Sequence, residues 1–366
     1  MTRPSATDEQ TVNAIHALIE SLDGDPESFA GQMIVQLVQT SLKMLADGHD
    51  TGQLKLLNRA LKDMRYAYRV FNRYTPTRKI AIFGSARTPE DHRDYLAAKQ
   101  LSAAITRQGW MSITGAGDGI MKAGLEGPRR EAGFGLSIRL PFETTANTVI
   151  EGDPKLINFR YFFTRKLMFM SHADAVAAFP GGFGTQDEVF EAMTLVQTGK
   201  SNIVPVVLAE GDGGTYWKHW DTYIRKNLLD GGMISPEDPG LYYIAPSIDH
   251  AVEHVTRFYR VYHSSRYVGD QLVLRLSQKL TDAQIDSLND AFAGLVKTGR
   301  IVQCGPLDGE DDHLDLPRLA FLHTRRQYGL LRAMIDRINT FAAGACDGSD
   351  SQLTSPVGEV DAGGVG

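Results

Sequence analysis

Three glycine-bearing turns and one carboxylate are the residues of this sequence best suited to chemistry. Pro180-Gly181-Gly182-Phe183-Gly184-Thr185 closes an apolar segment, and Glu188 stands just beyond it. Gly84-Ser85 and Gly115-Ala116-Gly117-Asp118-Gly119 close two earlier apolar segments. Glycine lets the backbone approach an anion, and the unpaired N–H groups and dipole at the start of a following helix favour phosphate. One such turn is weak evidence, because glycine is common in turns. Three on one sheet edge make phosphate the better reading for Gly84, Ser85, Gly117, Gly119, Gly181, Gly182, Gly184 and Thr185. No Gly-Lys-Ser/Thr follows any of them, so none is a Walker loop. The second turn reads GxGxG rather than GxGxxG. The next strand closes on Arg139-Leu140 with no acidic ribose ligand, which disfavours a nicotinamide enzyme.

Two side chains flank the third turn. Thr185-x-x-Glu188 has the spacing of a capping box, in which Glu188 would satisfy backbone at a helix start. Equally, the spacing sets a carboxylate beside a phosphate loop on a rigid element, and both readings can hold together. Arg165 precedes the strand that feeds the turn. Its guanidinium suits phosphate or carboxylate, although a lone arginine is more often a solvated one. His250-Ala251-Val252-Glu253-His254 matches an HxxEH spacing, which on a helix puts both imidazoles on one face. The match is short and has no third ligand nearby, so a solvated helix face is the preferred reading.

The elements that must carry these residues are legible in outline. Three amphipathic helices open the chain: Val12 to Leu22, Met33 to Leu45, and Leu54 to Phe71. Their stripes would cover a core or build an oligomer interface, the first being the general expectation. From Lys79 the pattern changes to short apolar runs alternating with helices. Strands are expected at 79–83, 110–114, 134–140, 173–179 and 203–208, with a helix from about Glu90 to Arg107 and another from the third turn to about Thr198. Near-continuously apolar strands alternating with helices predict a doubly wound parallel sheet, a Rossmann-like α/β fold. A small α+β domain follows, with a strand at 272–276, a helix capped by Thr281, strands near 300–304 and 314–321, and a last helix carrying Leu330 to Ile338. The expected domains are a helical region over 1–75, the α/β core over 76–262, the α+β domain over 263–342 and a disordered Gly/Ser/Asp-rich tail over 343–366.

Bulk properties narrow the function classes. A formal charge of −6 gives no reason to expect nucleic acid as partner. Cys304 and Cys346 show no metal-ligand spacing, and a reducing compartment fits them. The polar start lacks a signal-peptide stretch, and no segment approaches the ~20 apolar residues of a membrane span. A cytoplasmic protein without a membrane partner is expected.

The run Phe159-Arg160-Tyr161-Phe162-Phe163-Thr164-Arg165-Lys166, then Ala173-Asp174-Ala175, then Pro180 to Glu188, closely resembles the LOG family. These are cytokinin riboside 5′-monophosphate phosphoribohydrolases, many formerly labelled "lysine decarboxylase". The hallmark PGGxGTxxE with a preceding Arg-Lys pair is present, and the resemblance covers about Arg78 to Leu208, more weakly to Tyr262. Gly84 to Arg87, Leu140 to Glu143 and Asn147 also look like family positions, while Ala116 stands where members often have glycine.

The resemblance implies a catalytic pair at Arg165 and Glu188, and nucleotide contacts at Glu143, Lys166, Gly181, Gly182, Gly184, Thr185 and Thr194. It implies hydrolysis of the N-glycosidic bond of AMP or an N6-modified AMP to free base and ribose 5-phosphate, with neither cofactor nor metal. It also implies a homodimer or higher homo-oligomer whose pocket lies close to the subunit interface. A non-catalytic nucleotide-binding or carrier protein on the same fold is the alternative. The old label would need a pyridoxal phosphate Schiff-base lysine, and Lys166, the one lysine near the motif, has no accompanying sign of a cofactor site.

Overall fold

The computed structural model describes residues 7–128, 130–138 and 146–342. The chain divides into two compact units, residues 1–65 and 66–366. Among the described residues no helix is long and apolar enough to cross a membrane.

The first unit contains α1 (Glu9–Glu20), α2 (Phe29–Lys43) and most of α3 (Thr51–Phe71), which runs across the division. Asp8 caps α1 by accepting from the Thr11 N–H, and Ser28 caps α2 by accepting from the Gly31 N–H. The three helices stand where the apolar periodicity predicts them. Ile15 and Val35 are buried, but Leu18, Leu22, Met33, Ile34, Leu37 and Leu45 of the same stripes are exposed.

The second unit is built on a seven-stranded sheet. Its strands are β1 (Lys79–Phe83), β2 (Met111–Thr114), β3 (Gly133–Ile138), β4 (Leu156–Phe159), β5 (Ala175–Ala178), β6 (Val206–Leu208) and β7 (Tyr242–Ile244). All neighbours are parallel, in the order β4-β3-β2-β1-β5-β6-β7. The intervening helices are α4 (Arg93–Arg107), α5 (Ile120–Glu126), α6 (Phe162–His172), α7 (Phe183–Gln197), α8 (Tyr216–Tyr223) and α9 (Ile248–Arg257). Ile80, Ile82, Ala175, Ala177 and Val207 point to one face, against Ala98, Leu101, Ile105, Ala123, Ala251 and Val255 of α4, α5 and α9. Phe83 points to the other, where its ring meets Phe169 of α6, and Ala178 and Leu208 there pack on Val189 of α7 and Trp217 of α8. Both faces are covered, which is why the central strands are near-continuously apolar. The result is the doubly wound α/β sheet predicted.

A second, antiparallel sheet follows in the order β10-β11-β9-β8. It comprises β8 (Tyr262–Val268), β9 (Gln271–Leu276), β10 (Val296–Cys304) and β11 (Arg318–His323), with α10 (Asp282–Ala291) and α11 (Tyr328–Asn339). Thr281 and Gln284 form a reciprocal capping box at the start of α10. The apolar residues of this sheet share one core with Val196 of α7 and with Ile203 and Leu241, which precede β6 and β7.

Three strands escaped the sequence reading. β4, β7 and β8 are edge strands, two of them only three or four residues long and the third, Tyr-His-Ser-Ser-Arg-Tyr-Val, largely polar. An edge strand covered on few sides needs no continuous apolar run, so none marks it. The α4 helix starts at Arg93 rather than Glu90, capped by the His92 ring. The expected strand end at Arg139-Leu140, the tail over 343–366 and Cys346 lie outside the described residues.

Candidate active site

The chain order reverses between β1 and β5, the neighbouring strands from which the sheet grows in opposite directions. Loops at the carboxyl ends of such strands frame the usual ligand crevice of an open α/β sheet. All three glycine turns meet there. The Ser85 N–H donates to the Pro180 carbonyl at 3.1 Å, and the Ile120 N–H to the Ser85 carbonyl at 3.0 Å. The packing leaves no room for side chains at the contacts. A Cβ on Gly181 would stand 2.1 Å from Thr185 Oγ1 and 3.0 Å from Ser85 N, one on Gly84 2.6 Å from the Ile120 side chain. Gly119 takes φ +59° with the Ser85 carbonyl 2.3 Å from where its Cβ would be, so glycine is required twice over.

Ala116 carries the same demand without being glycine. It is buried with φ +64°, a conformation few alanines adopt. Its N–H donates to Thr114 Oγ1, and its carbonyl accepts from the Asn147 N–H at 2.8 Å. The Asn147 side chain donates to the Gly117 carbonyl, also at 2.8 Å. Asn147 thus pins the second turn from outside, which keeps the strained alanine in place.

The third turn runs straight into α7. Gly182 is the N-cap and makes no side-chain cap, so Thr185 and Glu188 lie inside the helix. The Thr185-x-x-Glu188 spacing is therefore not a capping box, because the helix starts three residues earlier than a threonine cap would need. Thr185 and Glu188 are both buried. A Cβ on Gly182 or Gly184 would meet nothing within 4 Å, which leaves the first turn of α7 open to a ligand on that side. Among the described residues no acceptor meets the N–H groups of Gly182, Phe183 and Gly184. Such orphan donors, with the helix dipole behind them, form an anion cradle.

Glu188 is held by α6. Lys166 Nζ lies 3.6 Å from Glu188 Oε2, 2.8 Å from Asp187 and 2.7 Å from Glu191. Burial pushes the Glu188 carboxyl above the usual carboxylate range; Lys166 and Arg165 pull against this, while Glu191 and Asp187 add to it. Burial would lower the Lys166 ammonium, but its hydrogen bonds to Asp187 and Glu191 keep it above its ordinary range. Arg165 extends from the same helix toward the end of β2, with Nη1 3.8 Å from where a Cβ on Gly115 would stand. A buried carboxylate, two cations and a nest of backbone donors therefore converge at one edge of the sheet.

Other expected residues stand elsewhere. Thr194 is exposed on α7, eleven residues beyond Phe183 and so about 16 Å along the axis. Glu143 lies outside the described residues. The HxxEH residues sit on α9, but His250 Nδ1 pairs with Ser247 Oγ, and half-buried His254 stacks on Tyr243 with Nε2 at 3.1 Å from Arg332. The sequence reading missed a set of partners behind the third turn. Gln186, Tyr216 and Trp220 form a hydrogen-bonded chain ending on the Gly181 carbonyl. No local pattern joins α7 to α8 across thirty residues.

The profile of the family described as "Possible lysine decarboxylase" matches residues 113–255. A probable cytokinin riboside 5′-monophosphate phosphoribohydrolase of Oryza sativa subsp. japonica is 30% identical over 161 residues, 43% of this chain and 67% of that protein. The chain belongs to the LOG family. A LOG protein named cytokinin riboside 5′-monophosphate phosphoribohydrolase from Arabidopsis thaliana is 28% identical over 208 residues, covering 54% of this chain and 93% of its own length. Among solved structures, a molybdenum cofactor carrier protein of Chlamydomonas reinhardtii aligns over 50% of this chain and 97% of its own, with 22% identity and TM-score 0.36. The LOG hallmark residues, Arg165-Lys166 and Pro180 to Glu188, are the ones gathered around the crevice.

Proposed function

We propose that this protein hydrolyses the N-glycosidic bond of a nucleoside 5′-monophosphate, AMP or an N6-modified AMP, to the free base and ribose 5-phosphate. The observation that carries the reading is Glu188: a buried carboxylate directly behind an anion cradle, with Lys166 and Arg165 beside it. The names of its LOG relatives support the choice of an adenine-type base.

In this reading the 5′-phosphate docks on the N–H groups of Gly182, Phe183 and Gly184 and on the Thr185 hydroxyl. Anchoring the phosphate fixes the distance from the cradle to C1′. Breaking the C1′–N bond sends its electron pair to the departing base and leaves positive charge on the ribose. The Glu188 carboxylate stabilises that charge and takes the proton of the water that attacks C1′, while the departing base takes up one proton from solvent, so that Glu188 returns its own to solvent and the products are neutral base and ribose 5-phosphate. Arg165 holds the ribose or phosphate against the end of β2. Orientation of this kind can supply about 7–11 kcal/mol in favourable cases, so the monophosphate should far outrun the bare nucleoside.

We read the protein as a homodimer or higher homo-oligomer. Phe162, Phe163 and Leu167 of α6 and Phe183 of the cradle are exposed, which supports a second copy packing beside the site. Light scattering that gives the mass of a single chain would contradict this.

Chromatography of products from a panel of nucleoside monophosphates and the matching nucleosides tests the activity. The expected result is equimolar base and ribose 5-phosphate from AMP, with turnover reduced about 10²–10⁴-fold in Glu188→Gln while AMP binding persists. AMP bound but left intact by the wild-type protein would favour a nucleotide carrier instead.

A further inference from the structure

The chain of side chains behind the third glycine turn allows only one arrangement of protons. Trp220 Nε1 can only donate, and it lies 2.8 Å from Gln186 Oε1. The Gln186 amide nitrogen then faces the Tyr216 hydroxyl at 2.7 Å and donates to it. The hydroxyl proton is left for the Gly181 carbonyl, 2.6 Å away. Each link thus fixes the polarity of the next, from α8 through α7 and back to the turn. Trp220 is itself clamped between the rings of Phe190, Trp217 and Tyr242, so the start of the chain is rigid.

The Gly181 carbonyl shares its peptide with the Gly182 N–H. That peptide is trans, and in a trans peptide the two groups point in opposite directions. A carbonyl drawn toward α8 therefore turns the Gly182 N–H away from α8, where no protein acceptor meets it among the described residues. The restraint matters because glycine stands on both sides of this peptide. Rotating it changes ψ of Gly181 and φ of Gly182, and glycine admits both orientations. Without an anchor the cradle would lose one donor and face the ligand with a carbonyl oxygen, which repels an anion.

We infer that Tyr216, oriented by Gln186 and Trp220, is a positioning residue that locks the Gly181–Gly182 peptide in its anion-accepting orientation. The inference rests on the reading of this turn as the phosphate cradle. It makes the affinity for the phosphate group, rather than the bond-breaking step, the quantity under Tyr216's control.

The test is Tyr216→Phe, which removes one oxygen and keeps the ring, with Gln186→Met as a second variant that breaks the chain one link earlier. Calorimetry with AMP and with inorganic phosphate measures the cradle without needing turnover. The expected result is AMP and phosphate binding weakened about five- to tenfold, the worth of one net hydrogen bond, with adenosine binding unchanged. In turnover, KM for AMP should rise by the same factor while kcat stays within about twofold. Unchanged phosphate binding in both variants overturns the inference. So does equal weakening of AMP and adenosine, which marks a general loosening of the site; if Tyr216→Phe unfolds, Gln186→Met alone decides between these results. A wild-type protein that binds AMP but does not cleave it would refute the proposed hydrolysis, and the calorimetric comparison would still decide the role of Tyr216.

Discussion

Replacing Lys166 by methionine removes the ammonium that lies 3.6 Å from Glu188 Oε2 while keeping most of the side chain's volume. Both side chains are largely buried, 12% and 6% exposed, so water screens the pair only in part. At that separation and an effective dielectric of about 20, two unit charges attract by about 4–5 kcal/mol. One pKa unit is worth about 1.4 kcal/mol, which bounds the loss at about three units. Lys166 divides its charge among Asp187, Glu188 and Glu191, so the share felt by Glu188 is smaller. Removing it also leaves two neighbouring carboxylates unneutralised, and both push the Glu188 carboxyl upward.

An upward shift of about one to two units is therefore expected. The assay is kcat/KM for AMP between pH 4 and 9. Glu188 must be ionised to act, so activity falls as pH drops through its pKa. The wild-type acid limb should already lie above the ordinary carboxylate range, and the variant's limb should move further toward neutral pH, with the plateau rate largely recovered at high pH. A limb that stays put, or a loss of rate equal at every pH, would refute the reasoning. It would return Lys166 to the role of a plain nucleotide contact.

Two further outcomes are expected. Gly181→Ala should abolish nucleotide binding, because its Cβ would collide with Thr185 Oγ1 and crowd Ser85 N; calorimetry with AMP reads this directly, and wild-type affinity would contradict it. Glu310→Gln should cost about 3–5 kcal/mol in denaturant unfolding at neutral pH, since it strips one partner from buried Arg275 and Arg318. Burial alone would raise the Glu310 carboxyl, but Arg318, the Leu307 N–H and Arg275 hold it down at about 2. Its contribution is thus complete above the ordinary glutamate range and fades as pH falls through about 2, so the gap between wild type and variant should close in that window.

What the sequence revealed follows from which forces leave a local trace. Strands β1 and β5 are buried on both faces and therefore apolar throughout, save Lys79 at the start of β1, so they stand out, and the glycine turns that close them stand out with them. The edge strands β4, β7 and β8 are held by pairing on one side and carry no such run. Glu188 was legible as a carboxylate near a turn, but its electrostatic setting was not. Lys166 reaches it from another helix, and only the fold brings α6 against α7. The same holds for the bond from Ser85 to Pro180, which joins turns 95 residues apart, and for Tyr216, whose hydroxyl acts on a carbonyl 35 residues away. Thr185 shows the opposite error, a local pattern with a known meaning that the helix start at Gly182 makes irrelevant.

Hydrolysis at this site requires an anchored phosphate that sets C1′ beside the residue-188 carboxyl. A crystal structure of Glu188→Gln with AMP bound measures that geometry without turnover. The phosphate is expected on the N–H groups of Gly182 to Gly184, with C1′ about 3–3.5 Å from the position-188 side chain or from one water held by it. AMP seated with its phosphate away from this turn, or with its ribose turned from position 188, would contradict it.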